Sequence, residues 1–310
     1  MRKPFDYLKL ILKGAGMGAA DVVPGVSGGT IAFISGIYEE LIESVKSIDL
    51  KALKLFFTGR WSELFNKINF WFLLSVFGGV AISIFSLAKL MKWLLATYPI
   101  VIWSFFFGLI LASSYYVIRT AGKIRTKEWI AFFSGVIAAW LITTISPAST
   151  PETWWFIFIS GSIGICAMIL PGISGAFILL LLGKYIFIIT AVSELNFPVL
   201  LIFIAGAVTG LVLFSNLLSW LLHNYHSVTI TTLAGFMIGS LNKVWPWKLV
   251  TSFMEGAHGE VIVLAEKNIL PGTYRLSGAG DPMLVPSLIV FFAGILLLVS
   301  VNAAGKKEKV

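Results

Sequence analysis

The sequence predicts an all-α polytopic membrane protein made of two inverted-topology repeats, each a broken or re-entrant helical hairpin followed by three transmembrane helices. Of its 310 residues, 58% are apolar and 12% are charged, whereas a soluble domain is nearer half apolar and a quarter charged. The apolar residues form blocks without Asp, Glu, Lys or Arg, such as 153–183 and 195–222. About 20 such residues cross the hydrocarbon core as a helix. These observations argue against a soluble domain.

The chain also matches itself, and internal duplication is common among transporter folds. When residue 24 is placed over residue 171, an offset of 147, the segment 20–45 matches 167–192 in its Pro, Gly, Ser and Tyr residues. Further offsets of 127 and 159 align Gly, Trp, Tyr and Phe residues later in the chain. Apolar composition alone does not readily align such residues in order. We therefore divide the chain into a first repeat, 1–146, and a second repeat, 152–310.

Each repeat divides into a hairpin and three crossings. The first repeat contains a hairpin at 5–45, an interfacial helix at 46–68, and crossings at 70–95, 99–119 and 129–146. The second contains a hairpin at 154–192, crossings at 197–222 and 227–245, an extracytoplasmic cap at 246–285, and a crossing at 286–304. The interfacial helix follows from apolar residues at helical spacing, and the cap from clustered turn residues. Because three crossings is an odd number, the second repeat is expected to be inverted relative to the first.

Basic residues set the expected orientation. With the N-terminus in the cytoplasm, the inside segments 46–67 and 119–127 are rich in Lys and Arg, whereas the outside loops 147–153 and 193–197 have none. This is the distribution that the positive-inside rule describes. We expect a multi-pass protein of the bacterial cytoplasmic (inner) membrane with both termini cytoplasmic. Its excess of 23 Lys+Arg over 15 Asp+Glu suits anionic membrane lipids, and no nucleic acid is expected as a partner.

A Pro-Gly-x-Ser motif interrupts the hydrophobic stretch of each hairpin. Pro ends a helix and Gly allows a new one to begin, and a helix N-terminus with free N–H groups suits an anion, particularly a phosphate. Two such breaks near the membrane midplane therefore predict a substrate site. Structural turns of fully spanning hairpins remain the alternative. The candidate phosphate-binding residues are Gly25, Ser27, Gly28, Gly29, Thr30, Gly172, Ser174, Gly175 and Lys184.

Ionisable residues within the apolar hairpins are functional candidates, because a charge inside the bilayer is costly. Asp21 precedes the first break and is a candidate for ion or proton coupling, with capping or pairing as its alternative. Lys184 is a candidate phosphate partner, with a snorkelling lysine as its alternative. Glu39 and Arg119 are further candidates for coupling or gating. The spacing His223-x-x-His226 has no nearby carboxylate or cysteine, so we expect no metal and no cofactor.

The first motif resembles that of a known family. Residues 14–32 read GAGMGAADVVPGVSGGTIA, 36–39 read GIYE and 171–175 read PGISG, and this pattern is similar to that of the PopT-type polyprenyl-phosphate transporters along essentially the whole chain. The resemblance implies transport of undecaprenyl phosphate from the outer to the cytoplasmic leaflet, where the carrier lipid is reused in cell-envelope synthesis. It implies no enzymatic activity.

Two other functions fit part of the pattern. A BacA-type undecaprenyl-diphosphate phosphatase also has inverted hairpins with a Pro-Gly-x-Ser loop, but Arg follows that loop, whereas Gly follows both Ser27 and Ser174 here. A transporter of a small soluble anion would use the same helix ends. Only the family resemblance favours a lipid over a small anion.

Overall fold

The computed structural model describes residues 3–21, 27–145, 147, 150–255 and 261–307, and it is mostly helical. The first part of the chain forms α1 (Pro4–Asp21), α2 (Gly28–Ile34), α3 (Tyr38–Lys46), α4 (Leu50–Phe57), α5 (Trp61–Lys67), α6 (Phe70–Thr97), α7 (Pro99–Thr120) and α8 (Thr126–Thr144). The second part forms α9 (Trp154–Ile169), α10 (Gly175–Leu181), α11 (Tyr185–Ser193), α12 (Phe197–Asn224), α13 (His226–Ser240), β1 (Lys248–Glu255), β2 (Val261–Asn268), α14 (Pro271–Leu276) and α15 (Leu284–Lys307).

The outer surface of the helices is apolar, as a membrane protein requires. Phe85, Leu201 and Leu213 each expose more than 60% of their area, although burying a side chain of this size would gain about 1.5–3 kcal/mol in water. Within the described residues, α7 and α12 are each long and apolar enough to cross a membrane. If each of two bent helix pairs is also counted as one span, the number of candidate membrane spans rises to four.

The second arm of each hairpin consists of two short helices. In the first hairpin, α2 and α3 meet at Gly36, which has φ +71°, and in the second, α10 and α11 meet at Gly183, which has φ +63°. Glycine takes this left-handed conformation without steric cost. The helices α2 and α10 have seven residues each, or about 10 Å of rise, so neither crosses about 30 Å of hydrocarbon alone.

The long helices pack in pairs through glycines. Helix α1 packs on α6 and α9 on α12, while α7 packs on α15 and α8 on α13. Glycine lets two helix backbones approach closely in a membrane. At four of these close approaches, a Cβ on the glycine would collide with a carbonyl oxygen of the partner helix. They are Gly14 with Val76, Gly161 with Phe203, Gly108 with Phe291, and Gly235 with Phe132. The sequence offsets relate these contacts in pairs. Offsets of 147 and 127 place the Gly14–Val76 contact on the Gly161–Phe203 contact, and offsets of 127 and 159 relate the Gly108–Phe291 contact to the Gly235–Phe132 contact.

The segment 46–68, expected as one interfacial helix, contains two. Helices α4 and α5 are separated at Gly59, which has φ +71° and therefore breaks the helical path. Asp49 caps α4 by accepting a hydrogen bond of 2.9 Å from the Ala52 N–H, and Lys67 at the end of α5 donates to the same carboxylate at 2.9 Å. These contacts fold the two short helices against each other.

The segment expected as a cap, 246–285, contains an antiparallel pair, β1 and β2, followed by α14. Two tryptophan side chains between α13 and β1 donate hydrogen bonds to later parts of this segment. Trp245 Nε1 donates to the Ile269 carbonyl at 2.8 Å, and Trp247 Nε1 donates to the Pro282 carbonyl at 2.8 Å. These bonds hold the segment that contains the two strands close to the end of α13 and the start of α15.

Candidate functional site

The two hairpin breaks meet each other inside the protein. The Ser27 hydroxyl donates to the Met168 and Leu170 carbonyls at 3.1 and 3.2 Å, so the start of α2 lies against the end of α9. In return, the Gly172 N–H donates to Thr30 Oγ1 at 2.8 Å. Contacts between residues about 140 positions apart thus join both breaks into one junction.

The first break is occupied by the chain's own polar groups. Asp21 Oδ1 accepts a hydrogen bond of 2.6 Å from the Gly28 N–H, and Ser27 Oγ accepts one of 3.1 Å from the Gly29 N–H. Ser27 is 1% exposed and Thr30 is fully buried. The N–H groups at the start of α2 are therefore bonded within the protein. Gly25 lies outside the described residues.

The second break borders a cavity of about 230 Å³. Ser174 precedes α10 and, within the described chain, its side chain makes no capping hydrogen bond. Ser174 and Gly175 line the cavity together with Asp21 and Tyr185. The rest of the lining is apolar and comes from α9 to α12, including Ile165, Met168, Leu179, Ile188, Ile189 and Phe203. The cavity thus has a polar end at the junction and an apolar body.

Lys184 lies among a different set of partners. Its side chain is 1% exposed, and its ammonium donates to the Thr150 carbonyl at 2.9 Å. The ammonium also lies 5.5 Å from the ring centroid of Phe156 and 5.6 Å from that of Phe187, which are cation–π distances. Lys184 is not part of the lining of the cavity at Ser174. The structure therefore brings Ser27, Thr30, Gly172 and Asp21 together, with Ser174 on the same cavity as Asp21, and leaves Lys184 with other groups.

Glu39 and Arg119 lie at the protein surface. Glu39 Oε1 is 3.0 Å from His226 Nε2, which joins the start of α3 to the start of α13. The Arg119 guanidinium lies 5.8 Å from the Tyr115 ring. Neither residue lines the cavity at Ser174.

The two histidines of the His-x-x-His spacing have separate partners. His223 Nδ1 is 2.9 Å from the Ser219 carbonyl and 3.7 Å from Glu43 Oε1, whereas His226 contacts Glu39. The expectation of no nearby carboxylate was therefore wrong, because folding brings α3 against this part of the chain. Within the described residues, no group of three or more His, Cys, Asp and Glu side chains is arranged to hold a metal ion.

A cluster of charged residues, which the sequence did not point to, joins the end of α13 to the β1–β2 pair. Lys243 Nζ and Lys248 Nζ lie 3.0 and 3.2 Å from the same oxygen, Glu266 Oε2. Burial raises the pKa of Glu266, but the ammonium groups of Lys248 and Lys243 outweigh it and hold the pKa below its ordinary value. Burial lowers the pKa of Lys248 to about 8. One feature of the sequence could have pointed to this cluster: Lys243 is the first charged residue after the apolar block 227–242.

The apolar outer surface and a cavity with one polar end define a polytopic membrane protein with room for an amphipathic molecule. A family model described as undecaprenyl phosphate translocase-like matches residues 17–262. The chain belongs to this family.

Two relatives agree with that assignment. The chain is 44% identical over 305 residues to a Vibrio cholerae protein named polyprenyl-phosphate transporter, a match that covers 98% of this chain and 99% of the relative. It is 34% identical over 254 residues to a Staphylococcus aureus protein of the same name, covering 76% of this chain and 85% of the relative. No solved structure matches the chain.

Proposed function

We propose that this protein moves undecaprenyl phosphate from the outer to the cytoplasmic leaflet of the bacterial inner membrane, where the carrier lipid is reused in cell-envelope synthesis. Membership of the translocase-like family and the names of both relatives support this function. The structural observation that carries it is the cavity at Ser174, whose polar end and apolar body match a phosphate joined to an isoprenoid chain. Ligand sites of this kind orient a molecule with few polar groups on an apolar lining.

In this proposal, the phosphate lies at the second break and the isoprenoid chain follows the apolar lining. Ser174 supplies a hydroxyl, and Gly175 beside it lines the same cavity without a side chain. The apolar residues of α9, α10, α11 and α12 then contact the chain of the lipid. The first break instead holds the junction together through Ser27 and Thr30.

We further propose that Asp21 couples transport to protons. Asp21 lines the same cavity as Ser174, so an ionised carboxylate there would repel a phosphate passing through it. A proton on Asp21 would remove that repulsion, and the hydrogen bond to the Gly28 N–H ties the carboxyl group to the start of α2. Proton binding and phosphate passage would therefore be linked.

The two halves are proposed to be inverted repeats with re-entrant hairpins, with both termini cytoplasmic and the strand-containing cap outside. The matching glycine contacts support the repeat, since the sequence offsets relate them pairwise. The short α2 and α10 support re-entrant arms. An inverted pair places equivalent broken helices around one central site.

The function is tested with purified protein in liposomes that contain undecaprenyl phosphate, using an impermeant phosphatase to measure the lipid in the outer leaflet. Wild type is expected to exchange the lipid between leaflets and to respond to an imposed pH gradient, whereas Asp21→Asn loses that response. Asp281→Asn, an exposed change in the cap, is the matched control. In cells, depletion of the protein is expected to raise outer-leaflet undecaprenyl phosphate, which tests the direction.

Absence of exchange by wild type would contradict the transport function. Exchange that ignores the pH gradient would contradict the proton coupling alone. Release of phosphate from undecaprenyl diphosphate by the purified protein would instead indicate a phosphatase.

A further inference from the structure

The charged cluster near the cap converges on one point. Lys243 and Lys248 direct their ammonium groups at the same Glu266 oxygen from 3.0 and 3.2 Å. Both ammonium groups make further contacts: Lys248 Nζ donates to the Lys243 carbonyl at 2.6 Å and lies 4.3 Å from the Trp103 ring, and Lys243 Nζ lies 4.7 Å from the Phe177 ring. Two ammonium groups around one anionic oxygen form an arrangement that a phosphate oxygen can also use.

Two members of the cluster, Lys243 and Glu266, line a cavity of about 270 Å³. Lys243, Glu266 and Lys267 contribute charged side chains to its wall, and Asn242 and Asn268 contribute amides. Lys243 and Lys248 face the one carboxylate of Glu266, and Lys267 adds a further positive charge to the wall, so the site carries an excess of positive charge. Its size and polarity suit a phosphate group.

A constriction connects this cavity to the second hairpin break. Lys243 also lines a gap of about 10 Å³ together with Gly172, Ile173 and Ser174. Ser174 in turn lines the amphipathic cavity. A gap of this size holds about one water molecule, so the two larger cavities are adjacent but separated until the hairpin moves.

We propose that Lys243 and Lys248 form a receiving subsite for a phosphate monoester on the side of the cap, and that Glu266 competes with the phosphate for this lysine pair. The proposal rests on the function proposed above, because it places the subsite before Ser174 on the path of the lipid phosphate. Glu266 keeps the lysines paired until the phosphate arrives, since an unpaired buried charge is strongly destabilising. The phosphate then replaces the carboxylate and passes through the constriction at Ser174.

A purely structural ion pair makes a different prediction from a binding site. If the cluster only holds the cap, removing either partner would weaken the fold and the binding together. If Glu266 competes with the ligand, removing its charge would strengthen phosphate binding while removing Lys243 would weaken it. The sign of the Glu266 effect therefore separates the two explanations.

The test measures binding of a short-chain polyprenyl phosphate and, separately, of inorganic phosphate to the detergent-solubilised full chain at pH 6.5, below the Lys248 pKa of about 8. Lys243→Gln is expected to weaken binding about tenfold, the loss of one charge-assisted hydrogen bond. Glu266→Gln is expected to strengthen it severalfold. Arg275→Gln removes an exposed positive charge from the same cap outside the cavity wall and is expected to change nothing. Thermal unfolding of each variant reports its folding.

Opposite shifts for Lys243→Gln and Glu266→Gln support the subsite. Shifts shared by both phosphate compounds would assign it to the phosphate group itself, and shifts for the polyprenyl phosphate alone would assign it to the lipid headgroup. Unchanged binding in Lys243→Gln, or weaker binding in Glu266→Gln with intact folding, would overturn the subsite. A protein that binds in this Lys243-dependent way but exchanges no lipid in liposomes would contradict the transport function while retaining the subsite.

Discussion

The two hairpin breaks share a Pro-Gly-x-Ser sequence but differ in what their serines contact. Ser27 bonds the end of α9 and the N–H of Gly29, and it is almost fully buried. Ser174 has no capping hydrogen bond within the described chain and borders a cavity. One copy of the motif therefore supports the junction, while the other faces space that a ligand can enter.

Part of this difference comes from the residue that lies seven positions before the start of α2 and of α10. In the first repeat that residue is Asp21, whose carboxylate accepts the Gly28 N–H. At the matching position the second repeat has Met168, and a thioether is only a weak acceptor. A duplicated motif can thus take two roles when one neighbouring side chain changes from a strong acceptor to an apolar group.

The largest expected effect comes from crowding the closed junction with Gly29→Ala. A Cβ at Gly29 would lie 2.5 Å from the Ile169 carbonyl oxygen and 3.1 Å from that of Met168. Overpacking of this kind costs about 1–3 kcal/mol, so the variant is expected to unfold at a lower temperature in detergent and to lose transport.

Gly78→Ala is the matched control, because a Cβ there meets nothing within 4 Å. We expect its unfolding temperature to equal or exceed that of wild type. Equal stability of Gly29→Ala and Gly78→Ala would show that the two breaks do not pack as tightly as described.

A smaller effect is expected from removing each serine hydroxyl in turn. Ser27→Ala loses the helix cap and the bonds to α9 and is expected to cost about 1–2 kcal/mol of stability. Ser174→Ala is expected to leave the unfolding temperature unchanged and to slow lipid exchange in liposomes. A loss of stability in Ser174→Ala equal to that in Ser27→Ala would remove the distinction between the breaks.

The mostly helical membrane architecture followed from the sequence because its physical cause is local. Charge-free blocks predict membrane helices, and the match between segments 20–45 and 167–192 locates both breaks. The division of 46–68 into α4 and α5 was missed, although Gly59 marked the break. A run of apolar residues at helical spacing does not reveal that one glycine has φ +71°.

The candidate site was less accessible from the sequence because it depends on contacts distant along the chain. The bonds from Ser27 to the end of α9 join residues about 140 positions apart, which the two similar motifs do not indicate. Lys184 was selected for its place in the hairpin, yet its ammonium contacts Thr150 and two aromatic rings. Lys243, which lines the gap beside Ser174, lies in a region of the chain without a recognisable motif.

The central claim is that the phosphate passes the second break rather than the first. The chain has one cysteine, Cys166, so a Cys166→Ser background allows Ser174→Cys and Ser27→Cys to be compared by the rate of modification with a small water-soluble thiol reagent. Ser174→Cys is expected to react and to be protected by undecaprenyl phosphate, whereas Ser27→Cys is expected to react slowly with or without the lipid. Protection of Ser27→Cys by the lipid, with Ser174→Cys unaffected, would contradict the account.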